Sequence, residues 1–289
     1  MTVPTIPRPL EGKLAIVTGA SRGIGASIAR HLAGKGASIL NVYTSSSSTQ
    51  LAEALCAELA AEHSIKAHTV KADLSQPETA APAIIQAAKE HFSKDGELVI
   101  NILINNAGVG GDYPLETVPV EEFHRIYAVN VLAPILVTQA VLPYLPHDRS
   151  GRIVNISSVA SSMGFATHTL YGGTKAALEA MTRTWARELA ERATVNAVNP
   201  GPVEGDMYFA AGEKFWKQME PFQLNCPLST VREGVDRPEL VKLAQDKMGG
   251  RRPAYWSEVA GVVGMLCTAD SAWCTGSVVN ANGGFRFTN

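Results

Sequence analysis

Tyr171 and Lys175 stand four residues apart at the start of a segment that reads as helix, Leu170–Glu191. At that spacing two side chains share one helix face. A free tyrosine, with a pKa near ~10, is slow to cycle its proton at neutral pH. An ammonium alongside stabilises the phenolate and lowers that pKa, so the pair can act as acid and base on a forming alkoxide. Taken alone, the spacing describes any exposed surface pair, which contributes little. It needs company.

A second segment with chemical content is Thr18-Gly19-Ala20-Ser21-Arg22-Gly23-Ile24-Gly25. It lies between the apolar run Lys13–Thr18 and a helical stretch, Gly23–Lys35. Glycines there let the chain turn sharply and bring a pyrophosphate to a helix N-terminus. Gly19, Ser21, Arg22, Gly23, Ile24 and Gly25 are therefore candidate cofactor contacts. The same letters spell Gly19-x-Ser21-x-Gly23, the elbow of a serine hydrolase. Such an elbow follows several strands, with an acid and then a histidine downstream, whereas this one sits on the first strand. The hydrolase is kept as a remote alternative.

The choice of nucleotide rests on a missing charge. An enzyme that prefers NAD places Asp or Glu about 20 residues beyond the glycines, on the ribose 2′-hydroxyl. No acidic residue occurs between Glu11 and Glu53, and the second strand ends in Tyr43-Thr44-Ser45-Ser46. Arg22 and these hydroxyls suit a 2′-phosphate, which a carboxylate would repel. NADP(H) is the expected cofactor.

The elements that must position these residues alternate. Strands are expected at Lys13–Thr18, Ser38–Tyr43, Lys66–Ala72, Val99–Asn105, Gly151–Ser157, Thr194–Asn199 and Ser277–Asn280. Helices are expected at Gly23–Lys35, Gln50–Glu62, Gln76–Phe92, Val120–Leu145 (with Pro134 an irregularity), Leu170–Glu191 and Ser257–Cys267. Strands apolar on both faces, alternating with helices, predict an α/β fold: a doubly wound parallel sheet covered on both sides. Ligands in such sheets bind beyond the carboxyl ends of the strands.

Composition narrows the partners. The chain has 289 residues, 46% hydrophobic and 18% charged, enough for one large core. A formal charge of -2 provides no basic field for nucleic acid or an anionic membrane, so a small-molecule substrate is expected. The longest apolar stretches read as strand-sized, too short for a bilayer. Residues 1–11 read as a Pro-rich arm without a secretory core, and 12–289 as a single domain. Four cysteines without a CxxC read as free thiols in a reducing, cytoplasmic compartment. Seven histidines without an HExxH argue against a metal site.

Further segments join the first two in a fixed order, and together they resemble the short-chain dehydrogenase/reductase family from about Gly12 to Gly284. Thr18–Gly25 looks like its cofactor turn, and Asn105-Asn106-Ala107-Gly108 like its NNAG motif, which steadies the sheet and lines the adenine ribose. Asp73-Leu74 fits its adenine contact. Asn130 matches the helix asparagine that holds a water in the proton relay. Ser158, thirteen residues before Tyr171, matches the catalytic serine, with Ser157 the lesser choice. Asn199-Pro200-Gly201-Pro202-Val203 matches the segment beside the nicotinamide, including Pro200, Gly201 and Val203.

The resemblance implies a Rossmann-type fold and an NADPH-dependent ketone reductase. Tyr171 would donate the proton, Ser158 would orient the carbonyl, and Lys175 would hold the nicotinamide ribose while lowering the tyrosine pKa. It also implies a homotetramer or dimer built through 120–145 and 170–191. The chain departs from the family where a threonine often follows Pro-Gly: Gly205 stands there, before Asp206-Met207. Residues 204–252 are expected to form a substrate lid. Its Tyr208, Phe209, Phe215, Trp216 and Phe222 suit an apolar or aromatic ketone, as in naphthol reductases, with a 3-oxoacyl thioester as the alternative. The aromatic tail Gly283–Phe287 reads as a subunit contact or a surface tail with two exposed rings.

Overall fold

The computed structural model describes residues 8–205, 208–209 and 212–287. Seven strands form one parallel sheet: β1 Leu14–Thr18, β2 Ser38–Tyr43, β3 Ala67–Lys71, β4 Ile102–Asn105, β5 Gly151–Ile156, β6 Ala193–Pro200 and β7 Val278–Ala281. Their spatial order is β3-β2-β1-β4-β5-β6-β7, and every pairing is parallel. β1, β4, β5 and β6 are buried along their whole length, as apolar strands between two helical layers must be. The order reverses between β1 and β4. Loops leaving their carboxyl ends therefore diverge and open a crevice.

On one face, α1 (Gly23–Gly34), α2 (Thr49–His63) and α10 (Trp256–Leu266) cover the sheet through Ile28, Leu32, Leu55, Leu59, Val259 and Val263. On the other lie α3 (Pro77–Phe92), the run from α4 (Val120–Tyr127) to α5 (Ala133–Val141), and α7 (Thr169–Glu188). Pro77 opens α3 at its first turn, and Pro82 lies inside that helix. A single-turn helix, α6 (Ala160–Met163), follows β5.

The stretch from Val120 is helical throughout but not uniformly α. A π turn spans Ala128–Leu132, with Ala133 N–H donating to Ala128 C=O. Pro134 explains its position: proline has no N–H for the carbonyl of Asn130 and its ring collides there. The helix widens one turn earlier instead of breaking, and Asn130 sits in the widened turn. The expectation that no run could span a bilayer needs correction. Val120–Tyr144 is 25 residues long with a mean hydropathy of 1.7 over its best window, enough by length and composition. Its Val129, Ala133, Val137 and Val141 are buried in the core cluster beside the sheet.

The insertion after β6 is more ordered than its composition implied. It carries α8 (Gly212–Gln223) and α9 (Pro238–Lys247). Tyr208 and Trp216 are buried with Ala244 and Met248, and Phe209 and Phe215 pack against them. Trp216 Nε1 donates to the Tyr208 carbonyl at 3.0 Å, and Gln223 Nε2 donates to the Tyr208 hydroxyl at 2.8 Å. These rings are the insertion's own core. Asp206 and Met207, part of the departure noted above, lie outside the described residues, as does 1–7 of the N-terminal arm. The tail is also different from expectation. Gly283 and Gly284, both at positive φ, turn the chain back so that Phe285 is buried against Val159, Met219 and Cys226; only Phe287 is exposed.

Candidate active site

The glycine turn is built around close approach. Gly19 and Gly23 have φ of 65° and 59°, a region that side chains disfavour. A Cβ on Gly25 would stand 2.4 Å from the Gly19 carbonyl oxygen and 2.9 Å from the Ala20 Cα, so only glycine lets α1 leave the turn this closely. Asn106 ties the turn to the neighbouring strand: its Nδ2 donates to the carbonyls of Thr18 at 2.8 Å and Gly19 at 3.2 Å. The Thr18 hydroxyl in return accepts the N–H groups of Asn106 and Ala107, each at 3.0 Å. Both loops of the crevice are thus locked to one another.

The other cofactor candidates are placed unequally. Arg22 caps α1 with an exposed guanidinium that has no partner among the described residues. Ser21 has no histidine or carboxylate partner among them either, so nothing there activates it as a hydrolase nucleophile. Thr44, Ser45 and Ser46 are exposed beyond β2. Tyr43 is buried and its hydroxyl accepts from Thr49 at 3.1 Å, so it serves the turn more than the crevice. Asp73 is exposed, with Oδ1 accepting the Ser75 N–H at 2.9 Å. Leu74 lies buried beneath it, beside Ala107 and Val129.

Asn130, Tyr171 and Lys175 converge on the loop that follows β4, and Ser158 joins them through Tyr171. The Asn130 side chain grips that loop twice: Oδ1 accepts the Val109 N–H at 2.9 Å, and Nδ2 donates to the Val109 carbonyl at 2.8 Å. Nδ2 also reaches the Thr174 hydroxyl at 3.1 Å, which links the π turn to α7. Gly108 stands closest to Lys175, while Gly110 lies in ordinary contact range of the Tyr171 ring. A Cβ at Gly108 would lie 3.3 Å from Lys175 Nζ, and one at Gly110 would lie 3.6 Å from the Tyr171 ring.

The two serines part company in space. Ser157 is buried and its hydroxyl donates to Glu179 at 2.6 Å, while Asn199 donates to the same carboxylate at 3.0 Å. Ser158 accepts the Ala160 N–H at 3.2 Å, and its hydroxyl acts on Tyr171 to draw the phenol pKa down. That effect is secondary: burial leaves the Tyr171 pKa above its ordinary value. Lys175 is buried too, and desolvation pulls its pKa down to about 8. Its Nζ donates to the Ile156 carbonyl at 2.8 Å and stands 5.6 Å from the Tyr171 ring centroid. The sequence reading had Lys175 govern the tyrosine. Here burial acts first on both groups.

Sequence reasoning missed several neighbours. The His168 ring packs edge-on to Tyr171 at 6.0 Å, with Asp112 Oδ1 at 3.5 Å from its Nδ1. Phe165 connects His168 to Phe222 and Phe285, so the returning tail reaches the same side of the site. Gly205 also gains a reason. Its φ of 136° and the Trp256 indole 3.3 Å from a notional Cβ leave no place for the family's threonine. Pro200, Gly201 and Val203 are held nearby: Val159 N–H donates to the Pro200 carbonyl, a Cβ on Gly201 would crowd Asn282, and Val203 bridges to Ala254.

Comparison with known proteins identifies the family. The short chain dehydrogenase family model matches residues 13–214. An L-xylulose reductase from Aspergillus niger is 58% identical, over 97% of this chain and 99% of its own. An L-xylo-3-hexulose reductase from Hypocrea jecorina is 51% identical over the same shares. Among solved structures, a blue fluorescent protein from a metagenomic library in complex with NADPH superposes with a TM-score of 0.79 at 34% identity, covering 96% of this chain and 100% of that one. A buried parallel sheet, a glycine turn at its point of reversal and a match over most of the length place the chain in the short-chain dehydrogenase/reductase family of oxidoreductases.

Proposed function

We propose that the protein reduces a polyhydroxylated ketone, a ketose, at the expense of NADPH, with Tyr171 as the proton donor. The observation that carries this reading is the convergence of Tyr171 and Lys175 on the glycine-lined loop after β4, with Ser158 joined to them through Tyr171. The residues suit the cofactor: the turn glycines bring the N-terminus of α1 close behind β1, Arg22 offers a guanidinium without a partner among the described residues, and a side chain at Gly108 would press on Lys175 Nζ. Gly19, Ser21, Gly23, Ile24 and Gly25 would hold the pyrophosphate, with Asp73, Leu74, Asn106, Ala107 and Gly108 toward the adenosine half. Pro200, Gly201 and Val203 would flank the nicotinamide.

When bound, NADPH supplies the hydride that reduces the carbonyl carbon. The Ser158 hydroxyl hydrogen-bonds the carbonyl oxygen and fixes its orientation. Tyr171 gives its proton to that oxygen as the alkoxide forms. The Lys175 ammonium stabilises the phenolate that remains and holds ribose hydroxyls. Pro134 cannot bond the Asn130 carbonyl, which suits that carbonyl to a water that returns the proton. Burial of Tyr171 favours its protonated form, the form a reductase needs at the start of each turnover.

The substrate class is a revision. Tyr208, Phe209, Phe215 and Trp216 pack in the insertion's own core, and Phe222 packs against Phe165 beside His168, so the ketose reading rests on the polar groups around Tyr171 and on the two sugar-ketone relatives. The groups beside Tyr171 include His168, with Asp112 next to it, and Ser158, donors and acceptors for substrate hydroxyls. The sugar-ketone names of the two relatives point the same way. Residues 204–252 remain the lid in this reading. A cytoplasmic location accords with four free cysteines. Assembly as a homotetramer or dimer accords with Val120, Phe123 and Leu132, exposed on the long helical run.

A rate panel tests the reading. NADPH consumption should be fast with L-xylulose and hexuloses and slow with cyclic ketones, quinones and 3-oxoacyl esters. NADPH should outperform NADH by at least about tenfold, the worth of a charge-assisted phosphate contact. Equal use of NADH rejects the cofactor, and turnover confined to 3-oxoacyl esters rejects the substrate class.

A further inference from the structure

Besides Arg22 at the start of α1, Lys71 brings a cation to the end of β2. The register pairs Tyr43 with Lys71, which places Lys71 at the carboxyl end of β3 beside the loop that leaves β2. Its Nζ donates to the Ser46 hydroxyl at 2.7 Å. Lys71 is exposed and has no carboxylate within ion-pair distance among the described residues. Asp73, two residues on, turns one oxygen to the Ser75 N–H. The rest of the serine run is folded upon itself: the Ser45 hydroxyl pairs with Ser47 at 2.8 Å and Ser48 at 3.2 Å. Ser46 is the member whose hydroxyl meets the lysine.

We propose that Lys71, held by Ser46, is the second cation of the adenosine 2′-phosphate site and shares that phosphate with Arg22. The inference rests on the NADPH reading above. In dinucleotide enzymes the end of the second strand is where the 2′ position is recognised, by an acid for a hydroxyl or a base for a phosphate. Lys71 is invisible to that rule in sequence because it belongs to the third strand. The chemistry is complementary. An ammonium has three donors, and Ser46 takes one of Lys71's, leaving two for phosphate oxygens. Ser46 accepts from the lysine, so its own O–H is left to donate to the same phosphate. Arg22 adds a planar fork from the α1 side, whereas Lys71 is a compact charge from the β3 side. A phosphate with nearly two charges is better neutralised by both than by either.

Calorimetric titration of the whole protein with NADPH, NADH and 2′,5′-ADP tests this without turnover. For Lys71→Gln, Kd for NADPH and 2′,5′-ADP should rise about tenfold, while Kd for NADH stays within about twofold. Lys71→Arg should recover most of the loss, and added salt should weaken wild type more than Lys71→Gln. Because Lys71 is exposed, the substitution does not endanger the fold. If Lys71→Gln leaves NADPH affinity unchanged while Arg22→Gln weakens it, the Lys71 assignment is overturned and the NADPH reading stands. If wild type binds NADH as tightly as NADPH, both are overturned.

Discussion

Tyr171→Phe is expected to lower kcat by roughly 10²–10⁴-fold, the range for loss of a positioned proton donor, with Kd for NADPH within about twofold of wild type. The substitution removes one hydroxyl and keeps the ring. The ring's contacts with His168 and with Gly110 therefore persist, and the site keeps its shape. What disappears is the proton and the hydroxyl's interaction with Ser158, which lowers its pKa. A parallel fall in cofactor affinity would show that the hydroxyl is structural. Near-normal turnover would remove Tyr171 from the chemistry altogether.

Lys175→Met should separate activity from stability. Turnover should fall at least about 10²-fold, because the ammonium 5.6 Å from the Tyr171 ring centroid, which would hold the phenolate, is gone. Stability should move the other way. Burial holds the Lys175 pKa at about 8, against 10.5 for the free group, so the folded state resists the charge. Below pH 8 both folded and unfolded chains carry that charge, and the cost of burying it is present in full. Between about pH 8 and 10.5 the folded protein releases the proton that the unfolded chain retains, and the cost fades. The cost at neutral pH is about 1.4 kcal/mol per pH unit between the two values, roughly 3 kcal/mol. Losing the bond to the Ile156 carbonyl offsets about 1–2 kcal/mol of that gain. Thermal unfolding at pH 7 should therefore show Tm higher by a few degrees in Lys175→Met, with the difference shrinking toward pH 10. A lower Tm at pH 7 would mean that the lysine's hydrogen bond outweighs its burial.

The architecture was legible because buried parallel strands are apolar on both faces, a signal that no surface requirement blurs. The glycine turn was legible for a related reason: Gly19, Gly23 and Gly25 are there for backbone geometry that no other residue accepts. Features made by long-range contact were not. Ser157 and Ser158 are adjacent letters, and only the placement of Glu179 and Asn199 shows which is occupied in the core. Lys71 reaches Ser46 across 25 positions, and Phe285 reaches Phe165 across more than a hundred. The helices of the insertion escaped notice because α8 contains Pro221 and both carry mixed charge. The irregularity expected at Pro134 shows itself one turn earlier, as the π turn around Asn130.

The central claim, hydride transfer from NADPH to a ketose carbonyl at Tyr171, is tested most directly by isotope. NADPH carrying deuterium at the transferable C4 position is incubated with L-xylulose, and the product is examined by mass and NMR. The prediction is a polyol with one deuterium on the former carbonyl carbon, formed in step with NADPH loss and absent with Tyr171→Phe. NADPH consumption without deuterium in the sugar, or a labelled product from the Phe variant at the wild-type rate, would contradict it.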